Sequence, residues 1–183
     1  RQAVGRIGES AELWMEFVEC CVDPFERREI LLEAVASATS NTNWESVFLQ
    51  LVDLEETHSR KMATVKRAIK LYPQSAGLWS QVIKLAGDEQ EQEALLYRAC
   101  DSCPYFVDFW LQLVGFSSDD ETKKSVLERA IRVNTNSIPL WLAYLKHCGG
   151  EMVPVMIESC KITLDTTLPD TPESELVYTH LLD

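Results

Sequence analysis

The chain has 183 residues, with 17 Lys and Arg against 29 Asp and Glu and a formal net charge of −12. That deficit weighs against broad phosphate-backbone binding, which Lys and Arg drive, and no apolar run approaches the roughly 18 residues a membrane span needs. The length suits one ordinary domain that folds without metal or disulfide staples, and only 7 Gly and 7 Pro favour long helices over many short strands.

No signal-peptide pattern opens the sequence. Residue 1 is Arg, so the chain reads as a piece of a longer protein. Residues 1–8 read as the frayed end of a preceding unit. The Gly5-Arg6-Ile7-Gly8 stretch has the G-x-x-G form of some RNA-clamping loops, but without their flanking fold it reads as an interhelical turn. Apolar residues then recur at helical spacing. A helix is expected over 10–21 with Trp14 near its start, and a second over 24–38 with Ala34. Phe48 heads a helix over 43–57, and Ala68 marks one over 59–72 that Pro73 ends. Trp79 heads 75–86 and Ala99 marks 89–102, which Pro104 ends. Trp110 heads 105–116. Asp119 or Asp120 then caps a helix over 121–134 that holds Ala130. Trp141 heads 137–148, and Cys160 takes the alanine's place in 151–165. Residues 168–174 hold two prolines and read as a longer turn. Another unit begins at 174–183, with Tyr178 in the aromatic slot.

These elements repeat. The aromatic falls at 14, 48, 79, 110 and 141, with spacings of 34, 31, 31 and 31. The small residue falls at 34, 68, 99, 130 and 160, with spacings of 34, 31, 31 and 30. Arg67, Arg98 and Arg129 keep the same step, as do Pro73, Pro104 and Thr135. Independent markers sharing one period are the signature of a helical repeat. One helix pair cannot bury its apolar face alone, but stacked pairs can. The fold expected is therefore all-α, an α-solenoid of about five helical hairpins near 10–38, 43–72, 75–102, 105–134 and 137–165. The alternative is an irregular helical bundle with accidental periodicity.

The family follows from particular residues. Trp141-Leu142-Ala143-Tyr144 has the W-x-x-Y arrangement. Val65-Lys66-Arg67-Ala68-Ile69 and Val126 to Ile131 carry a common second-helix signature. These resemble the half-a-tetratricopeptide (HAT) repeat of RNA-processing assemblies. Such units often carry an acidic residue seven after the aromatic. Glu55 fits that place, while Cys21, Ala86, Ser117 and Cys148 depart from it. Lys66 to Trp79, then Glu93 to Pro104, then Phe109 to Leu113 are similar to the pre-mRNA-processing factor six family of the spliceosomal tri-snRNP. The likeness spans roughly residues 60–165. It implies a right-handed, tetratricopeptide-like solenoid in the nucleus that bridges snRNP components. It implies protein partners within an RNA-processing complex, RNA contact that is secondary, and no membrane. It also implies no catalysis, no cofactor and no small-molecule substrate. HAT scaffolds of 3′-end cleavage and ribosomal-RNA processing share much of the pattern and stand as alternatives.

Few residues invite a chemical reading. Cys100 and Cys103 form a C-x-x-C, but no second pair or His pair stands at zinc-site spacing. They read as packing, as do Cys20 and Cys21, in a reduced, intracellular protein. His58, His147 and His180 fall near helix ends, where capping accounts for them. The sharper feature is the helix 59–72, which holds Arg60, Lys61, Lys66, Arg67 and Lys70 and no acid. It is the candidate partner-binding face, for an acidic helix or for RNA phosphate. The competing reading is a solvated face paired with Asp53, Glu55 and Glu56. Lys123, Lys124, Arg129 and Arg132 form a weaker cluster diluted by Glu121 and Glu128.

Overall fold

The computed structural model describes residues 10–36 and 44–147. The expected helix 151–165, the turn 168–174 and the unit at 174–183 lie outside the described residues. So do residues 1–8, Cys148, Cys160 and His180. Among the described residues the protein is all-α, with nine helices. They are α1 Ala11–Glu19, α2 Pro24–Ala36, α3 Glu45–Leu54, α4 His58–Leu71, α5 Ala76–Lys84, α6 Glu89–Ser102, α7 Val107–Phe116, α8 Asp120–Val133 and α9 Ile138–His147. Each begins and ends within three residues of the periodicity's expectation.

Local chemistry sets these boundaries, and it repeats with the helices. The even-numbered helices start behind side-chain oxygens that take otherwise unpaired backbone N–H groups. Asp23 accepts from Phe25 and Glu26, Thr57 from Arg60, Asp88 from Glu91, and Asp119 from Thr122. Those caps keep the steps of 34, 31 and 31 residues. Asp119 also accepts the Thr122 hydroxyl, and both bonds hold its carboxyl below the usual carboxylate range. Ser10 and Ser75 cap α1 and α5 in the same way. Trp44 and Phe106 stand at the corresponding places before α3 and α7 without a side-chain cap bond.

The exits repeat as well. Ser75 N–H donates to Tyr72 O, Phe106 to Cys103 O, and Ser137 to Asn134 O. Each closes a four-residue turn, and Pro73, Pro104 and Thr135 occupy its second position, where proline's fixed φ is suited.

Two compact units divide the chain inside α6, at residues 1–95 and 96–183. In the first unit α2 packs against α1 and α3, α4 packs against α3 and α5, and α3 also touches α1 and α5. Trp14, Leu31, Trp44, Phe48, Leu51 and Leu78 lie at its centre. In the second unit α8 packs against α7 and α9, and α7 touches α9. Phe109, Trp110, Leu113, Leu127 and Leu140 are its largest fully buried side chains from these helices. All five marker aromatics are buried, and Ala34, Ala68, Ala99 and Ala130 expose no surface. Each fully buried Leu or Phe contributes about 1.5–3 kcal/mol.

Candidate interaction surface

The marker residues do more than fill space. The indole N–H of Trp79 donates to Pro73 O at 2.8 Å, that of Trp110 to Pro104 O at 2.9 Å, and that of Trp141 to Thr135 O at 2.8 Å. Each ties the start of a helix to the turn before it, six residues back. Two of the four sequence registers, the aromatic and the Pro73/Pro104/Thr135 step, thus belong to one hydrogen bond. Pro104 O also accepts from Asn134 Nδ2 at 2.8 Å, which joins successive turns. Sequence reasoning missed the indole bonds, although the constant Trp-minus-six spacing was their signal. It also passed over Trp44, which is fully buried and whose Nε1 meets no acceptor among the described residues.

The arginine register runs between successive even-numbered helices. Arg67 on α4 donates to Val35 O at the end of α2 at 3.2 Å. Arg129 on α8 binds Asp101 on α6, and its guanidinium lies 5.4 Å from the Trp110 ring centroid. Glu55, the acid expected from the HAT pattern, is buried. It takes Arg28 of α2 through Nε and Nη2 at 3.2–3.4 Å. At the matching places in other units, Cys21 and Ser117 instead donate to the carbonyl four residues back.

These contacts divide the five basic residues of α4. Arg60, Lys66, Arg67 and Lys70 are exposed and Lys61 is half-buried. Lys66 meets Glu91 of α6 at 3.9 Å, and both side chains keep about half their surface in solvent, so the pair is weak. Arg67 is committed to Val35 O. Arg60, Lys61 and Lys70 make no ion pair among the described residues. Of the acids expected to neutralise this face, Glu55 holds Arg28 and Asp53 lines a cleft with Glu19 and Arg27, while Glu56 is exposed just before the α4 cap, four residues from Arg60. In the weaker cluster, Lys123 meets Asp120 and Arg129 meets Asp101.

The C-x-x-C thiols point away from reactivity. Cys100 and Cys103 are both buried, and both are thiols rather than disulfide halves. Burial pushes the Cys100 thiol up to about 12, so it stays protonated and a poor nucleophile at neutral pH. His147 meets Asp120 at 3.1 Å, joining the end of α9 to the start of α8. Among the described residues no three His, Cys, Asp or Glu side chains converge on a metal-sized site. No helix there is long and apolar enough to cross a membrane.

The chain matches no family model and no curated protein.

Proposed function

We propose that this chain is a right-handed α-solenoid of HAT-type hairpins that serves as a protein-interaction scaffold in an RNA-processing particle. The particle suggested by its motifs is the spliceosomal tri-snRNP, where the scaffold joins snRNP components in the nucleus. One observation carries the reading: a single register sets the caps, the turns, the indole bonds and the inter-helix arginines of successive hairpins. A chain built this way offers similar helical surfaces at regular steps, which suits partner docking over long distances. Catalysis and cofactor binding form no part of this reading.

The test is crosslinking mass spectrometry on the protein in nuclear extract. Crosslinks from these hairpins to proteins of the splicing machinery are expected. Crosslinks to none of them, or recovery with an unrelated complex, would overturn the assignment.

A further inference from the structure

We infer that the exposed face of α4 docks an acidic, helical segment of a partner protein. This rests on the scaffold reading and names the chemistry of one of its partners. The face runs along Arg60, Ala63, Lys66, Arg67 and Lys70, spaced three and four residues apart, so it lies on one side of the helix. Its span from Arg60 to Lys70 is about 15 Å.

The repeat itself provides the comparison. At the three places held by Arg60, Lys66 and Lys70, α2 carries Glu26, Leu32 and Ala36. There α6 carries Glu91, Tyr97 and Asp101, and α8 carries Thr122, Glu128 and Arg132. Among these four helices, only α4 is basic at all three. The register does not require cations there, so packing does not explain them.

The start of α4 gives a second, independent sign. Helix N-termini favour acids, because their free N–H groups carry partial positive charge. The first turns of α2, α6 and α8 hold acids, and that of α4 holds none. Arg60 and Lys61 stand there instead, against the helix dipole. A carboxylate placed on Arg60 relieves that repulsion. Local rules broken without a packing gain mark functional places.

A peptide helix suits this face better than RNA. The exposed Glu26, Glu29 and Glu33 of α2 and the Glu91 carboxylate belong to the same unit as α4. A phosphate chain extending beyond the 15 Å of cations meets acids and a net charge of −12. The face also holds no aromatic ring on which a base can stack. A short helix with carboxylates three and four residues apart matches the cation spacing, and Ala63 leaves room for close approach at its centre.

The experiment uses the full chain and two labelled probes in fluorescence anisotropy. One is a synthetic alanine-rich helical peptide of about four turns, with glutamates three and four residues apart. The other is an oligouridylate of similar length. The peptide should bind more tightly than the oligouridylate and weaken as salt rises. Arg60→Glu with Lys70→Glu should lower its affinity about tenfold or more, with the denaturation midpoint little changed, because the gain in the first turn offsets the loss in the last turn. Lys123→Glu with Arg132→Glu on α8 should change it little. Equal peptide binding by the α4 variant would overturn the inference. Tighter oligouridylate binding through Arg60 and Lys70 would reassign the face to RNA. Neither outcome alters the crosslinks to splicing proteins, so the scaffold reading stands or falls separately.

Discussion

At the residue scale, the tryptophans combine bulk with one directed bond. Trp141→Phe keeps most of the apolar ring and removes the bond to Thr135 O. A net hydrogen bond is worth about 0.5–1.5 kcal/mol, and a urea melt should show a loss in that range. No loss would mean that the indole N–H is equally well satisfied by water. Cys100 gives a second test at this scale. Its thiol is buried and raised to about 12, whereas Cys20 is exposed. Alkylation near pH 8 should modify Cys20 in the native protein and reach Cys100 only in denaturant. The folded state holds the Cys100 proton more tightly than the unfolded chain does. Its contribution to stability is therefore complete below about pH 9 and lost as pH rises toward 12. Alkylation of both thiols at the same rate in the native state would contradict this.

At the element scale, charge joins α2 to α3 and sets the character of α4. Arg28 and Glu55 link α2 to α3, with side-chain exposures of 19% and 4%. Removing one partner from a buried pair leaves the other charge poorly solvated. Glu55→Ala should cost about 3 kcal/mol, the low end for such a loss because Arg28 keeps some solvent. Arg28→Met with Glu55→Leu should recover most of it in the same denaturation assay, since well-packed apolar replacements are often neutral. In α4 the sign reverses. Arg60→Glu places an acid in the first turn and should stabilise the protein by about 0.3–1 kcal/mol. A loss of stability would show that Arg60 makes a contact the fold needs. The helices themselves were legible because apolar spacing and proline stops agree. Asp119 was legible as a cap, while Asp23 and Thr57 were not read, although they keep the same step. The fate of Arg67 was not legible: a sequence shows a cation on a helix, and only packing shows that it reaches Val35 O.

At the scale of the whole molecule, one register runs through both compact units. The same turn, the same indole bond and the same buried alanine occur on each side of the division within α6. The period was readable because it needs only residue types at fixed steps. The division at 95 and 96 was not, because it follows from how tightly particular helices pack. The candidate surface was half legible: its five cations were named from sequence, and the packing separates Arg60, Lys61 and Lys70 from those already engaged. Trp44 stayed hidden because Phe48 satisfied the aromatic register four residues later.

The claim on which the rest depends is that the aromatic register builds the hairpins. Equilibrium denaturation of Trp79→Ala and Trp110→Ala tests it most directly, since one ring lies in each unit and both are buried. Each substitution should cost about 3–5 kcal/mol, as expected for a large aromatic removed from a packed core. A denaturation midpoint unchanged by either substitution would contradict the register, and with it the repeat architecture.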